Sequence, residues 1–244
     1  MNKNYSPNFN IPKRSKKKIK FIIIHYTGMK KESLALKRLC DERSKVSAHY
    51  FIRKNGNLIK LIPDLYEAWH AGKSKWDNLK LLNKYSLGIE LTNPGHQHGY
   101  ENFSIHQIKS LKRLLRYLIN FYDVNLKNVL GHSDISPDRK KDPGEKFPWE
   151  TLAKSKLCWW HKLNKKKLKK FRKMKLSSKN EKVNFMKNLG KIGYKKIYKK
   201  NKNSQIRLLT KSFQRRFRQE IIDGKIDKEC LIISESLIKN QINA

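Results

Sequence analysis

Three short apolar runs lie within residues 17–132 of the chain, and runs of this kind predict buried β-strands. The first is KKIKFIIIHYT, which ends near His25, and the second, within NKYSLGIELTN, predicts a strand at about residues 86–92. The third is KNVLGH, which ends at His132. Because polar residues at the end of a buried strand often face a functional site, both histidines are candidates for one.

Other periodicities between these runs predict helices and a hairpin. Residues 31–42 have the apolar spacing of a helix, and EAWHAGKSKW is typical of a loop. SAHYFIRKNGNLIKLI predicts a hairpin with its turn at Asn55-Gly56. A long helix is predicted after Ser104, which forms a capping-box pattern with Gln107. Its expected apolar stripe consists of Ile105, Ile108, Leu111, Leu115, Leu118, Ile119 and Tyr122.

The pattern changes after Trp160. Residues 161–180 are dominated by Lys and Arg, as in a solvated basic linker. Three amphipathic segments follow within residues 181–244, and Asp223-Gly224 marks a turn before the last of them. The sequence therefore predicts a small three-helix module at the C-terminal end.

The chain is strongly basic. Its 57 Lys and Arg against 20 Asp and Glu give a formal net charge of +37. Such a charge is compatible with nucleic acid, an anionic polymer or a membrane surface as the partner. A compositional bias is the alternative, because Lys, Ile and Asn are all abundant. The sequence contains none of the common RNA-recognition, helix-turn-helix or zinc-finger patterns, so nucleic acid is not the expected partner.

The expected localisation, and the expectation that the cysteines form no disulfide framework, follow from what the sequence lacks. The start, MNKNYSPNFNIPKRSKKK, carries charge without the apolar core of a signal peptide, and IKFIIIHY is too short to span a membrane. We therefore expect a cytoplasmic protein, with a periplasmic one requiring an unrecognised export route. The three cysteines are far apart and form neither a disulfide framework nor a CxxC pattern.

Residues 131–149, GHSDISPDRKKDPGEKFPW, combine one His with four acidic residues and three Pro, a composition that predicts neither helix nor strand. The segment contributes the imidazole of His132 and the carboxylate of Asp142. Together with the imidazole of His25, these groups lie near predicted strand ends. This set suits a catalytic zinc site, which uses three protein ligands and leaves a position for water. Because the chain has eight histidines, a packed or surface role is the alternative for each.

Five sequence blocks carry a family resemblance across residues 19–160: FIIIHYTGM, VSAHYFIRKNGNLIKLI, AWHAGKSKW, NKYSLGIELTNPGH and VLGHSDISPDRKKDPGEKFPW. Together they resemble the zinc-dependent N-acetylmuramoyl-L-alanine amidases of the amidase_2 type, which are similar to phage T7 lysozyme and the peptidoglycan recognition proteins. FQRRFR followed by DG resembles the helical peptidoglycan-binding module found in one branch of this family.

The resemblance implies a role for five residues. His25, His132 and Asp142 match the ligands of one Zn²⁺ per chain. Glu90 matches the catalytic acid, and Lys140 matches a residue that polarises the substrate. The implied reaction is hydrolysis of the amide bond between the lactyl group of N-acetylmuramic acid, or its 1,6-anhydro form, and L-alanine.

Alternatives remain for the two catalytic candidates. Glu90 lies between Ile89 and Leu91, so its side chain points to the opposite face of the strand, where it could simply pair with a Lys. Lys140 could be a solvated charge, and a shift of one residue would transfer its role to Arg139 or Lys141.

Four further residues in the matched blocks are candidates for substrate contact: Tyr26, His49, Trp69 and His70. A histidine packed near the core, or an aromatic ring that fills it, is the alternative. A histidine could also support a metal ligand from behind.

The resemblance implies an α/β fold with a central mixed β-sheet flanked by helices, in agreement with the predicted elements. The expected parts are a basic N-terminal extension (1–18), a catalytic domain (19–160), a basic linker (161–180) and a peptidoglycan-binding-like helical module (181–244). Two other functions are alternatives, a non-catalytic peptidoglycan-recognition protein and a nucleic-acid-binding protein. The expected partners are peptidoglycan fragments or anhydro-muropeptides in cell-wall recycling, with the C-terminal module favouring intact peptidoglycan instead.

Overall fold

The computed structural model describes residues 4–195 and 201–242; the parts of the predicted N-terminal extension and C-terminal module at 1–3, 196–200 and 243–244 lie outside the described residues. The strands are β1 (Phe9–Asn10), β2 (Phe21–Tyr26), β3 (Tyr50–Ile52), β4 (Leu58–Lys60), β5 (Glu67–Ala68), β6 (Lys75–Trp76), β7 (Leu79–Lys80), β8 (Ser86–Leu91) and β9 (Val129–Gly131). The α-helices are α1 (Glu32–Cys40), α2 (Ile105–Tyr122), α3 (His132–Ile135), α4 (Trp149–Lys154), α5 (Lys165–Lys169), α6 (Lys179–Ile192), α7 (Lys202–Phe217) and α8 (Lys228–Ile242). Short 3₁₀ turns are Lys16–Lys18, Glu42–Ser44, Leu82–Tyr85 and Leu126–Asn128. Among the described residues, no helix combines the length and apolar character needed to cross a bilayer.

A five-stranded mixed sheet in the order β4-β3-β8-β2-β9 forms the centre of the molecule. Strand β2 is parallel to both β8 and β9, and β3 is parallel to β8, whereas β4 is antiparallel to β3. The mixed α/β architecture expected from the sequence is confirmed. The register places His25 of β2 beside Glu90 of β8, so two candidate site residues meet at the carboxyl ends of adjacent parallel strands.

The two faces of β2 enter different hydrophobic cores. Ile22 and Ile24 pack in a cluster that includes the buried leucines of α2. Phe21 and Ile23 belong to a second cluster, built largely from the C-terminal helices. Because side chains alternate along a strand, His25 projects to the same face as Phe21 and Ile23. The candidate site therefore lies on the face opposite to α2.

Helix α2 begins with the predicted capping box: the Ser104 hydroxyl accepts a hydrogen bond from the Gln107 backbone N–H, and the Gln107 side chain accepts one from the Ser104 N–H. Most of the predicted stripe faces the sheet. Ile105 does not, since its side chain is 75% exposed at the first turn of the helix, and its predicted burial is wrong. The fully buried members of the stripe are Leu111, Leu115 and Leu118.

The shorter predicted elements also form. Strands β3 and β4 make the antiparallel hairpin, and Gly56 in its turn has φ = 88°, a left-handed conformation that glycine adopts without strain. Helix α1 lies within the range predicted for it. The segment EAWHAGKSKW is mostly a loop, with the two-residue strands β5 and β6 at its ends.

The N-terminal segment differs from the extension expected. Strand β1 pairs with β5, and the Arg14 side chain is buried. Its guanidinium donates hydrogen bonds to the backbone carbonyl oxygens of Asn83, Ser86, Asp64 and Tyr66 at 2.6–3.0 Å. Through these charged hydrogen bonds, Arg14 ties the N-terminal segment to two other parts of the chain, residues 64–66 and residues 83–86.

The segment 161–180 also differs from a solvated linker, because it contains α5 and buries Leu168. Helices α6, α7 and α8 are the three helices expected, and their core residues lie in the same cluster as Leu168, Phe21 and Ile23. The cluster thus joins the C-terminal helices directly to the central sheet, and the domain boundaries expected from composition stay a prediction. Core residues of the three helices include Phe185, Phe213 and Leu237.

A buried ion pair adds a polar connection between the C-terminal helices and the sheet. Arg216 of α7 and Asp134 of α3 are both 2% exposed, and the guanidinium Nη1 lies 2.8 Å from the carboxylate. Arg216 also donates to the carbonyl of Val129, and Asp134 accepts from the hydroxyl of Tyr194 and the N–H of Gly131. Helix α7 therefore holds the chain immediately around His132.

We predict that Arg216→Met lowers the free energy of unfolding by about 3–5 kcal/mol, because it leaves the Asp134 carboxylate buried without its cation. The measurement is urea unfolding followed by circular dichroism. Arg43→Met is the matched control, since Arg43 pairs with Asp41 while 90% exposed, and it should leave stability nearly unchanged. Equal effects of the two substitutions would contradict the role given to the buried pair.

Candidate metal centre and active site

A cavity of about 480 Å³ opens at the carboxyl ends of β2 and β8. It brings together all five residues for which the sequence suggests ligand or catalytic roles. Two of the four candidates for substrate contact, Tyr26 and His70, also line it. The five residues are His25, Glu90, His132, Lys140 and Asp142.

Three donor atoms converge at the base of this cavity. The Nδ1 atoms of His25 and His132 are 2.9 Å apart, and each lies 3.0 Å from Oδ2 of Asp142. All three side chains are buried, with exposures of 1%, 2% and 7%. Their ligand atoms lie within 4.8 Å of one another, a separation that one metal ion can bridge.

The local backbone explains how His132 and Asp142 meet although they are ten residues apart. His132 begins α3 directly after β9, and the Ser133 N–H donates a hydrogen bond to the backbone carbonyl of Asp142 at 2.8 Å. Gly131 allows the returning chain to approach, since a Cβ there would lie 2.7 Å from Cδ of Pro143. Any larger residue at position 131 would push the ligand loop away from the strand.

The segment 131–149 is more regular than its composition predicted. Helix α3 covers His132–Ile135, so His132 begins a helix instead of ending a strand, and α4 starts at Trp149. Asp134 makes the short helix possible because its carboxylate accepts the Gly131 N–H at the helix start. The remainder of the segment is turn and loop, as expected.

Two groups lie near Nε2 of His132: the backbone carbonyl of Ala71 at 3.2 Å, which can only accept, and the Arg139 guanidinium at 3.4 Å, which can only donate. The carbonyl is the nearer of the two and favours the tautomer with the proton on Nε2. In the neutral ring, Nδ1 then presents a lone pair towards His25 and Asp142. Burial and the neighbouring His132 lower the pKa of His25 to about 4, which keeps that imidazole neutral as well. Neutral imidazoles beside a carboxylate are a donor set that fits a divalent cation.

Glu90 faces this cluster from the adjacent strand. Its Oε2 is buried and has no hydrogen-bond partner among the described residues. Burial raises the pKa of Glu90 to about 8, the charge of Asp142 adds to the rise, and Lys140 opposes it. A carboxyl group with a raised pKa beside a ligand cluster is typical of proton transfer near neutral pH.

Lys140 and both of its basic neighbours line the cavity. The positive charge of Lys140 lowers the pKa of Glu90 and of His25. The Arg139 guanidinium donates to the carbonyls of Ala71 and Lys73 and to the Ser136 hydroxyl, and its Nη2 lies 3.4 Å from Nε2 of His132. Lys141 lines the same cavity and is exposed.

Comparison with known proteins identifies the family. The family model described as "Amidase_2: N-acetylmuramoyl-L-alanine amidase" matches residues 15–145, which are 131 of the 244 residues. The chain belongs to this family. The amidase is 32% identical over 239 residues to the N-acetylmuramoyl-L-alanine amidase AmiD of Escherichia coli strain K12, an alignment that covers 91% of this chain and 83% of AmiD. It is 39% identical over 107 residues to the 1,6-anhydro-N-acetylmuramyl-L-alanine amidase AmpD of the same organism, covering 43% of this chain and about half (55%) of AmpD.

Two solved structures resemble the amidase over nearly the whole chain. One is E. coli AmiD in complex with the substrate anhydro-N-acetylmuramic acid-L-Ala-D-γ-Glu-L-Lys, with a TM-score of 0.81, 29% identity and coverage of 95% of this chain and 93% of AmiD. The other is AmpDh3 of Pseudomonas aeruginosa in complex with an anhydromuramic pentapeptide, with a TM-score of 0.80, 26% identity and coverage of 99% of both chains. The likeness to both extends through the C-terminal helices.

The sequence patterns do not single out every cavity residue of the amidase, and His96 is one that they miss. His96 lines the cavity, its Nδ1 lies 2.8 Å from the Tyr26 hydroxyl, and its Nε2 lies 3.1 Å from the Glu145 carboxylate. Its ring stacks on Tyr100 with centroids 4.4 Å apart. The available signal was its place in NPGH, a turn that directly follows β8.

Two predicted substrate contacts lie outside the cavity. His49 is fully buried, and its ring bonds to the carbonyl of Tyr66 and the N–H of Gly88 at 3.0 Å each. The indole N–H of Trp69 donates to the Asn10 side chain at 2.9 Å. Neither residue is among those that line the cavity, and a contact of either with substrate stays a prediction.

Because the pKa of Glu90 is raised, we predict that the metal-free wild type and Glu90→Gln differ in stability by an amount that depends on pH. The folded state holds a proton up to about pH 8, whereas the unfolded chain loses it near 4.5, so Glu90 destabilises the fold increasingly as pH rises between these values. Glu90→Gln should therefore gain about 1–3 kcal/mol over the wild type between pH 5 and pH 8, measured by urea unfolding with chelator.

Glu101→Gln is the control for this comparison, because Glu101 forms an exposed ion pair with Lys54. Its stability relative to the wild type should hardly change over the same pH range. If Glu90→Gln behaves like this control, burial does not raise the pKa of Glu90 in the folded protein.

Proposed function

We propose that the amidase binds one Zn²⁺ through His25, His132 and Asp142 and hydrolyses the amide bond between the lactyl group of 1,6-anhydro-N-acetylmuramic acid and L-alanine. The observation that carries this proposal is the convergence of three donor atoms, each about 3 Å from the others, at the base of a cavity that also contains Glu90. Zinc suits the set because catalytic zinc sites use imidazole and carboxylate ligands and leave one position open.

Two relatives support the choice of substrate. AmiD and AmpDh3 resemble the amidase over nearly its whole length, and both are seen in complex with anhydro-muramyl peptides. We infer that soluble anhydro-muropeptides are the substrate here too, which is consistent with cell-wall recycling. A cytoplasmic location stays a prediction, as does peptidoglycan binding by the C-terminal helices.

The residues of this chain divide the chemistry between them. Zinc bound in such a site lowers the pKa of water towards about 7 and polarises a carbonyl group. Glu90 Oε2, free of other hydrogen bonds among the described residues, accepts the proton of the attacking water and delivers it to the leaving nitrogen of L-alanine. The Lys140 ammonium stabilises the oxyanion that forms on the lactyl carbonyl.

The presence of the whole set disfavours a purely binding role. A recognition protein needs the groove but not a proton acceptor beside a ligand cluster. In this chain Glu90 lies opposite His25 in the register of adjacent strands, where both reach one cavity. Catalysis accounts for this pairing, and peptidoglycan recognition alone does not.

The test is incubation of the purified protein with a defined anhydro-muropeptide and with intact sacculi, followed by mass spectrometry. We expect peptide release from the soluble substrate, loss of release with a chelator and recovery with Zn²⁺. Elemental analysis should find one zinc per chain. A folded protein that binds no metal, or that releases peptide equally well with chelator, would overturn the proposal.

Three variants separate metal binding from proton transfer. His132→Ala should lose both zinc and activity, and His106→Ala, at an exposed position on α2, should keep both. Glu90→Ala should retain zinc while kcat falls by about 10²–10⁴-fold, the range for loss of a general acid–base group. Loss of zinc in Glu90→Ala would show that this residue has been given the wrong role.

For Lys140→Ala we expect kcat to fall by about 10²–10³-fold with zinc content unchanged, because one cation that stabilises the oxyanion is removed. Lys141→Ala is the matched control, with the same change in charge on the same loop. The measurement is steady-state hydrolysis of the anhydro-muropeptide. A larger loss in Lys141→Ala would assign the role to that neighbour.

A further inference from the structure

A chain of hydrogen bonds leads from the metal centre into the sheet. Nε2 of His25 lies 3.0 Å from Nδ1 of His70, whose Nε2 lies 3.2 Å from the hydroxyl of Ser86. That hydroxyl lies 2.6 Å from the backbone carbonyl oxygen of Leu82. All these side chains are at least 90% buried, so the contacts are protected from competing water.

The far end of this chain determines the direction of every bond in it. A carbonyl oxygen can only accept, so the single proton of the Ser86 hydroxyl lies towards Leu82. Ser86 Oγ must then accept from His70 Nε2, which leaves the Nδ1 lone pair of the neutral His70 ring to accept from His25 Nε2. Nδ1 of His25 therefore carries no proton and presents its lone pair to His132 and Asp142.

The backbone around His70 is itself fixed. The side-chain oxygen of Asn83 accepts hydrogen bonds from the N–H groups of both His70 and Ala71, and the carbonyl of Ala71 is the acceptor for His132. The ring of His70 packs on Gly88, where a Cβ would lie 2.5 Å from Cγ of the imidazole. Two consecutive residues thus hold the two histidine ligands, one through a side chain and one through a carbonyl.

We propose that His70 and Ser86 are positioning residues, which hold His25 in the orientation and tautomer whose Nδ1 faces the metal ion. The inference deepens the proposed zinc site and rests on it. His70 lines the cavity, so it could instead contact substrate, but its two ring nitrogens are already engaged within the protein. Partners of this kind commonly change metal affinity about 10–100-fold when they are removed.

The first test is the zinc affinity of Ser86→Ala, measured by competition with a chelating dye. We expect the Kd for zinc to rise about 10–100-fold, because His70 loses the acceptor that orients it. Ser110→Ala is the matched control: it removes another buried serine hydroxyl, one that donates to the carbonyl of Gly56 far from the metal centre. Near-ultraviolet circular dichroism establishes that each variant is folded.

A second pair of variants tests His70 itself. Glutamine can accept through its oxygen and donate through its nitrogen, as the imidazole does, so His70→Gln should bind zinc within a few-fold of the wild type. His70→Leu offers neither group and should bind about 10–100-fold more weakly. Wild-type affinity in both Ser86→Ala and His70→Leu would overturn the proposal.

Tautomers in the metal-free wild type give a readout that is independent of zinc and of turnover. Two-bond ¹H–¹⁵N spectra should show the proton on Nε2 in both His25 and His70. A proton on Nδ1 of either ring would overturn the inference. If the wild type bound no zinc, the proposed function would fail, whereas these spectra would still decide the hydrogen-bond chain.

Discussion

The structure depends on holding three electron-rich atoms, two imidazole nitrogens and one carboxylate oxygen, within about 3 Å of one another in a buried place. Lone pairs that face each other at this distance repel in the absence of a cation, so the surrounding protein must resist their separation. His25 is supported by the central strand β2 and by His70. His132 begins α3, and Gly131 allows the following segment to fold back so that Asp142 meets it.

The rigid framework comes from two directions. Helix α2 covers one face of the sheet, and the C-terminal helices cover the other, so β2 is buried on both sides. Arg216 reaches from α7 to the carboxylate of Asp134, two residues after a proposed ligand. Arg14 reaches from the N-terminal segment to the carbonyls of Asn83 and Ser86, next to the chain of hydrogen bonds that orients His25. Both ends of the polypeptide thus stabilise the centre.

Much of this was predictable from the sequence because it follows from local patterns. Continuous apolar runs identified β2 and β8, a capping box identified the start of α2, and five ordered blocks identified the family. Local patterns fail where a role depends on a distant partner. His96 and Ser86 owe their positions to Tyr26 and His70, far away in the chain, and periodicity placed Ile105 on a stripe without revealing where burial of the helix begins.

The hydrophobic cluster shared by the sheet and the C-terminal helices has a consequence for any attempt to separate the two parts of this protein. Phe21 and Ile23 of the central strand lie in the same core as Phe185, Phe213 and Leu237. If the family segment 15–145 were separated from the helices, the side of the sheet that carries Phe21 and Ile23 would be exposed to solvent. Since exposed apolar surfaces promote aggregation, this chain needs its C-terminal helices to cover that side of the sheet.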